Sequence, residues 1–140
     1  MKRIGGLILV LCVSLWMYPA LAPANKKQEA AIAAAQQWLA LIDAGNYAKS
    51  WQESAELFRN AISKGQWEQS LNAVRQPLGD LISRKVKSAI YTTSLPGAPD
   101  GEYVVIQFET SFVNKQSAIE TVTPMSEKSG GWRVSGYFIK

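Results

Sequence analysis

Apolar residues recur at helical spacing in the segment Lys26–Asp43. One stripe, whose members lie three, four or one positions apart, consists of Ala31, Ala34, Trp38, Leu41 and Ile42. This spacing is typical of a helix that buries one face, and the alanines around it favour a helical backbone. Gly45 can take the left-handed conformation that commonly ends a helix. The pattern therefore predicts a first helix over Lys26–Asp43.

Two more helices are predicted before the chain reaches Gly79. Asn46 is a suitable N-cap for a second helix that extends to about Ile62. Its apolar stripe consists of Trp51, Ala55, Phe58 and Ile62. A third helix follows Ser63, because Ser63 and Gln66 form a capping box, and Ile62 and Trp67 occupy the hydrophobic-staple positions. Its stripe, which Pro77 and Gly79 end, consists of Trp67, Leu71 and Val74.

Beyond Gly79 the apolar period changes from that of a helix to that of a strand. The first predicted strand, Ser83–Ser94, alternates Val86, Ile90 and Thr92 with Lys85, Lys87 and Tyr91. The second, Tyr103–Val113, places five side chains on one face, which are Val104, Ile106, Phe108, Thr110 and Phe112. Ser117–Met125 and Trp132–Ile139 follow. The predicted connections are Leu95–Gly101, Asn114-Lys115 and Glu127–Gly131.

These elements predict an α+β fold, with three N-terminal helices packed on a four-stranded antiparallel meander. One face of the sheet is the only surface large enough to cover the helical stripes. A curled sheet around helices resembles the cystatin-like or NTF2-like cone. We expect a single α+β domain over residues 25–140, a length that suits one compact unit.

The N-terminal segment has the pattern of a secretory signal peptide. Met1-Lys2-Arg3 is followed by an apolar run, Ile4–Met17, which is shorter than the ~20 residues of a membrane span. Ala22 and Ala24 are the small residues that a signal peptidase reads. We therefore expect a signal peptide over residues 1–24, cleavage after Ala24 and a periplasmic protein without a stable membrane anchor. A retained anchor and a lipoprotein attached at Cys12 are the alternatives.

The composition narrows the chemistry that the exported part can perform. The chain has no histidine, and its single cysteine, Cys12, would leave with the expected signal peptide. Ser-His-Asp and Cys-His catalysis are therefore excluded, and neither a metal nor another cofactor is expected. Cleavage would also remove Lys2 and Arg3, so the net charge would fall from +4 for the full chain to +2, with 13 basic residues against 11 acidic ones. The remaining basic clusters, Lys26-Lys27 and Arg84–Lys87, predict solvated faces rather than a nucleic-acid surface.

Several short motifs along the chain occur together. They are Ser50-Trp51, Gln66-Trp67, Arg75–Gly79, Ser83-Arg84, Ser94–Tyr103, Glu120-Thr121-Val122 and Gly131–Ile139. In combination they resemble the bacterial family catalogued as domain of unknown function 4019. The resemblance covers nearly all of the chain after the signal peptide. It implies an exported bacterial protein without an assigned activity, and it carries over no catalytic residues.

Two glutamates form a candidate polar site. If Asn114-Lys115 is a two-residue hairpin loop, Val113 faces Gln116 and Glu109 faces Glu120. Like charges that face each other across a ladder are destabilising, so a cation, a proton or a bound ion should compensate. One hypothesis is a paired-carboxylate acid/base or Ca²⁺ site. The other is a polar outer face with interleaved Lys or Arg, and a one-residue bulge would remove the pair.

Arg75 and Arg84 flank the crossover from helix to strand. As a functional pair they would bind an anionic ligand. As a structural pair they would bind the C-terminal carbonyls of the third helix or Asp80. The loop Leu95–Gly101 is in the same way either a binding loop or a tight turn.

The aromatic residues either line an apolar cavity or fill the core. They are Trp38, Trp51, Trp67, Trp132, Tyr137 and Phe138. Tyr91, Tyr103 and Tyr137 would be hydrogen-bond donors in such a cavity. The candidate ligand or polar site therefore comprises Arg75, Arg84, Tyr91, Glu109, Glu120 and Tyr137.

The expected function is non-catalytic binding of a small apolar or amphipathic ligand between the helices and the sheet. The alternative is a protein-interaction module of the cell envelope that uses the exposed sheet face, the Leu95–Gly101 loop or an unpaired edge at Lys85-Val86-Lys87. An enzyme that relies on carboxylates and tyrosine alone ranks third. No nucleic-acid partner is expected.

Overall fold

Four α-helices precede four strands in the computed structural model, which describes residues 24–140. The predicted signal peptide, apart from Ala24, lies outside the described residues. The elements are α1 (Ala24–Asp43), α2 (Tyr47–Gln52), α3 (Glu56–Ala61), α4 (Lys64–Val74), a 3₁₀ turn (Gln76–Leu78), β1 (Leu81–Thr92), β2 (Tyr103–Phe112), β3 (Lys115–Ser126) and β4 (Trp132–Ile139). The fold is α+β, and no helix within residues 24–140 has the length and hydropathy that a membrane span requires.

The second predicted helix is in fact two helices, so the prediction of three helices is wrong. The break lies at Ser54 and Ala55, where Ala55 is extended, with φ −60° and ψ 151°. The Ala55 N–H donates to the Val134 carbonyl on β4 at 2.8 Å. The Ser54 hydroxyl donates to the Ser50 carbonyl at 2.7 Å and accepts from the Trp38 indole at 3.1 Å. Tertiary hydrogen bonds thus replace the helical ones that the apolar stripe predicts.

The predicted start of the next helix is confirmed. Ser63 caps α4, because its hydroxyl accepts from the Gln66 N–H at 3.2 Å and the Gln66 side chain accepts from the Ser63 N–H at 3.2 Å. Trp67 and Leu71 are buried, whereas Val74 is 54 % exposed. The helix is followed by the 3₁₀ turn and by Gly79 at φ +75°.

The four strands form one open antiparallel sheet in the order β1-β2-β3-β4, which confirms the meander. β2 buries one face as predicted, through Val104, Ile106, Phe108, Thr110 and Phe112. On β1 the predicted alternation is wrong. Register shifts at Leu81/Ser83 and Val86/Ser88 move side chains between faces, so Tyr91 packs against the core while Ile90 is exposed.

The β2–β3 hairpin turns one residue earlier than predicted. Its loop is Val113-Asn114, and Phe112 faces Lys115. The earlier turn changes the pairing by two residues, and a register shift between Thr110 and Phe112 restores one. A net change of one residue exchanges the two faces of a strand. The predicted Glu109–Glu120 pair is therefore wrong: Glu109 faces Ile119, and Glu120 faces Phe108.

Helix α1 lies across all four strands and covers the buried face of the sheet. At its centre the Trp38 ring lies 5.2 Å from Tyr137 and 6.0 Å from Trp67. Trp67 also meets Phe58 edge-on at 4.9 Å. These rings pack against one another, as the filled-core alternative predicts.

Candidate functional site

Four of the six predicted site residues meet under the C-terminal end of α1. Together with two residues that the sequence analysis did not select, they form a hydrogen-bonded group that we call the Glu120 cluster. Its members are Asp43, Arg75, Arg84, Thr110, Glu120 and Tyr137. They come from α1, the end of α4 and all four strands, so the cluster joins both layers of the fold.

The carboxylate of Glu120 is the centre of this cluster and is 0 % exposed. Its Oε1 atom accepts from Arg84 Nε and from Thr110 Oγ1, both at 2.7 Å. Its Oε2 atom accepts from the Tyr137 hydroxyl. A buried carboxylate is costly unless it is paired and hydrogen-bonded. Here both oxygens have partners, and one partner is a guanidinium.

Asp43 is the second carboxylate of the cluster and binds Arg84 in bidentate fashion. Arg84 Nη1 and Nη2 donate to its two oxygens at 2.7 and 2.9 Å. Burial opposes the charge on Arg84, but the hydrogen bonds to Asp43 and Glu120 outweigh it, and together these groups raise the pKa of Arg84. The Arg84 guanidinium thus lies between two carboxylates and donates to both.

Arg75 binds the same aspartate from the other side. Its Nη2 atom donates to Asp43 at 3.3 Å, and its Nη1 atom donates to the Gly79 carbonyl, just beyond α4, at 2.6 Å. The guanidinium also lies 4.4 Å from the centre of the Phe112 ring. Both arginines therefore have structural partners, and the acidic one is Asp43 rather than the predicted Asp80.

The Glu120 cluster is a charge-balanced network, in which the buried Nε atom of Arg75 has no hydrogen-bond partner. Two carboxylates balance two guanidinium groups. Burial raises the pKa of Tyr137 above its ordinary value, and the neighbouring Glu120 raises it further. The tyrosine is therefore a neutral donor whose proton is already committed to Glu120. Both carboxylates of the cluster and the Tyr137 hydroxyl are thus hydrogen-bonded within it.

The other two predicted site residues lie elsewhere. The Tyr91 hydroxyl donates to Glu102 at 2.8 Å, and Lys27 on α1 pairs with the same carboxylate. These contacts lower the pKa of Glu102 and raise that of Lys27. Glu109 lies on the outer face, 44 % exposed, and pairs with Lys85 at 3.1 Å. Glu109 thus belongs to a polar outer face with an interleaved lysine, as one hypothesis stated.

An apolar groove opens between α4 and the edge strand β4, with a volume of about 280 Å³. Its lining residues are Trp67, Ser70, Leu71, Val74, Tyr137, Phe138 and Ile139. None of these side chains is charged. Val74 and Phe138 are 54 % and 61 % exposed and lie beside the buried Trp67 and Leu71 in the same groove. We call this opening the α4–β4 groove.

A larger cleft, about 830 Å³, lies at the turn between α1 and α2 and is mostly polar. Asp43 and Arg75 line it, but their charged groups are already bound within the Glu120 cluster. Among residues 24–140, no group of three or more acidic, histidine or cysteine side chains is placed to hold a metal ion. The Ca²⁺ hypothesis loses its basis as well, because Glu109 and Glu120 lie on opposite faces.

The protein family described as "Protein of unknown function (DUF4019)" matches residues 34–137. The chain belongs to the DUF4019 family. The resemblance inferred from the short motifs is thereby confirmed. The matched range contains the whole Glu120 cluster and all but the last two residues of the α4–β4 groove. No curated protein and no solved structure matches this DUF4019 chain.

Sequence reasoning missed two members of the cluster in this DUF4019 domain. Thr110 carries a signal that was available, because it is the one polar residue on the apolar face of β2. A buried hydroxyl needs a partner, and here that partner is Glu120. Asp43 carries no comparable signal, since an aspartate near the end of a helix is ordinarily solvated.

Proposed function

We propose that this DUF4019 chain is a non-catalytic binding domain that takes a small apolar or amphipathic ligand in the α4–β4 groove. The observation that carries the proposal is the contrast between two regions. The carboxylates of the Glu120 cluster and their donors are bound to one another, whereas Val74 and Phe138 at the groove are exposed to solvent. The proposal places the ligand between a helix and the sheet.

The groove favours recognition by apolar contact rather than by charge. Leu71 and Trp67 form its inner wall and are buried, while Val74 lies exposed at its mouth. The Tyr137 hydroxyl points to Glu120, so the tyrosine contributes its ring to the groove. Ligand sites are typically apolar with few polar groups. The groove fits this description, because its lining has two side-chain hydroxyls. One, that of Tyr137, is bound to Glu120, and the other, that of Ser70, lies on the exposed side of α4.

We propose the cystatin-like or NTF2-like cone as the architecture that forms this groove. The support is the path of α1 across all four strands and the position of α4 beside the sheet edge. In such a fold the space between a helix and an uncovered strand is a natural ligand position.

The binding test uses a neutral apolar dye, phenylnaphthylamine, whose fluorescence rises in an apolar environment. Val74→Gln places an amide at the mouth of the groove. The substitution leaves the net charge unchanged, and glutamine has a higher helix propensity than valine. Desolvation of that amide costs about 1–3 kcal/mol, so we expect dye affinity to fall roughly tenfold. Val113→Gln is the matched control, because Val113 is 56 % exposed on the β2–β3 turn. Equal affinities for the two variants would refute the groove as the site.

Export is part of the proposal and has its own test. The apolar segment Ile4–Met17 and the small residues Ala22 and Ala24 support a cleaved signal peptide. Expression of the full chain in a bacterial host should yield a periplasmic protein whose first residue is Asn25. A protein that keeps Met1 and stays with the membrane fraction would overturn export by cleavage.

A further inference from the structure

In the half of β4 that borders the groove, some main-chain N–H and C=O groups form no hydrogen bond with another strand. Ile119 and Lys140 exchange both N–H···O hydrogen bonds, at 3.0 and 2.9 Å. In an antiparallel ladder such pairs alternate with pairs whose N–H and C=O groups point away. Tyr137 and Ile139 therefore direct these groups away from β3. Within residues 24–140 no main-chain group outside the sheet bonds to them.

The rest of the sheet edge is protected. The Val134 carbonyl, at the start of β4, accepts from the Ala55 N–H. The opposite edge strand, β1, carries Lys85 and Lys87 and two register shifts, devices that prevent edge-to-edge pairing. The segment Gly136–Ile139 has no charged residue, no proline and no register shift. This segment is therefore the part of the sheet edge that is best suited to pair with another strand.

We propose that this edge pairs with the same edge of a second copy of the chain and forms a two-fold symmetric dimer. The inference goes beyond the proposed function and does not depend on it, although the second copy would cover the same α4–β4 groove. In only one antiparallel register do the outward main-chain groups of both Tyr137 and Ile139 pair with the same groups of the second copy. This register places Tyr137 opposite Ile139 of the partner subunit. That register forms four main-chain hydrogen bonds. It also sets Phe138 opposite itself, the self-complementarity that a two-fold interface requires.

The side chains of this register fit the exposed surface. Phe138 faces Thr121 on β3 and so lies on the outer face of the sheet, where it is 61 % exposed. Residues that face each other without hydrogen bonds have Cβ atoms ~4.5–5.5 Å apart, so the two Phe138 rings meet at the axis. Ile139 lies on the face towards α4, because it faces Glu120. Ile139 of the partner subunit therefore covers the mouth of the groove beside Tyr137.

The contact is small in comparison with a standard interface, which buries ~800 Å² on each partner. The four strand residues Gly136–Ile139 and one face of α4 predict a weak dimer that forms at high protein concentration. Because the partner subunit and an apolar ligand cover the same groove, each should displace the other.

Sedimentation velocity over a wide range of protein concentration tests the dimer. The wild-type mass should double as the concentration rises. Phe138→Lys and Phe138→Glu should each remain monomeric, because like charges face each other at the axis, and an equimolar mixture of the two should dimerise again. Ile90→Lys is the matched control. Ile90 is also 61 % exposed, but it lies on β1, so this variant should dimerise as the wild type does.

Two results would overturn the dimer: a wild type that is monomeric at every concentration, or a mixture of the charge variants that does not associate. The dye titration separates this failure from a failure of the proposed function. If the wild type is monomeric and binds the dye, and Val74→Gln binds the dye more weakly, the dimer alone is refuted. A concentration-dependent dimer with equal dye binding in Val74→Gln and Val113→Gln refutes ligand binding alone.

Discussion

Replacement of Glu120 by glutamine tests whether the Glu120 cluster stabilises the fold. Glu120→Gln keeps the shape of the side chain and removes its charge. The amide nitrogen must then face a donor, either Arg84 or the Tyr137 hydroxyl, where an oxygen accepted before. The buried region also loses its neutrality, because two guanidinium groups remain with Asp43 as their only carboxylate.

The expected loss follows from the burial of the pair. Removing one partner of a buried ion pair costs about 3–5 kcal/mol, because the remaining charge is left uncompensated. Arg84 retains Asp43, so we expect the lower end of this range, about 3 kcal/mol. In urea, where small domains have m values of about 1–3 kcal/mol/M, the unfolding midpoint should fall by about 1 M or more.

Glu109→Gln is the matched control, since it is the same substitution on the other face of the same sheet. Glu109 is 44 % exposed and its pair with Lys85 is solvated. Exposed ion pairs contribute about 0–1 kcal/mol, so the midpoint should hardly change. Urea unfolding of both variants at neutral pH, followed by tryptophan fluorescence, measures the difference. If Glu120→Gln were no more destabilising than Glu109→Gln, the reasoning about the cluster would be refuted.

Two further predictions concern hydroxyl groups. In the native state Tyr137 keeps its proton above pH ~10, where an unfolded tyrosine ionises, because burial and Glu120 raise its pKa. The unfolded state then binds fewer protons than the native state, so the free energy of unfolding should fall as the pH rises above ~10. Tyr137→Phe should be less stable than the wild type at neutral pH. Its stability should not show the part of the decrease above pH ~10 that ionisation of Tyr137 causes. Ser50→Ala should cost about 1–3 kcal/mol, because the buried hydroxyl accepts from the Trp67 indole at 2.9 Å. Chemical unfolding should show little change for Ser70→Ala, whose exposed hydroxyl bonds only within α4.

The parts of the fold that follow from local chemistry could be predicted from the sequence. The capping box at Ser63 and the alternation of Tyr103–Val113 each depend on residues within one element, and both are confirmed. The break at Ala55 and the faces of β1 depend on partners distant in sequence. The Val134 carbonyl competes for the Ala55 N–H, and no pattern near residue 55 reveals that competitor.

The candidate site shows the same division. The chemical types of Arg84, Glu120 and Tyr137 marked them as site residues, and they do come together. Which partners they bind depends on the register between β2 and β3, and that register depends on the position of the hairpin turn to within one residue. The turn at Val113-Asn114 is held by contacts from the preceding segment, where the Asn114 N–H donates to the Leu78 carbonyl at 2.9 Å and its side chain to that of Pro77 at 3.0 Å. A two-residue loop read from the hairpin alone misses these contacts.

The position of the Glu120 cluster favours a binding surface at the sheet edge, as we propose, over one beneath the C-terminal end of α1. A ligand between the C-terminal end of α1 and the sheet would have to separate Arg84 from Asp43 or Glu120, and each separation would leave a buried charge with one partner fewer. The α4–β4 groove requires no such separation, because Leu71, Val74 and the ring of Tyr137 offer apolar surface beside an unpaired strand. The charged interior thus joins the two layers, and the proposed binding surface lies at the edge where exposed apolar side chains and main-chain groups of β4 come together.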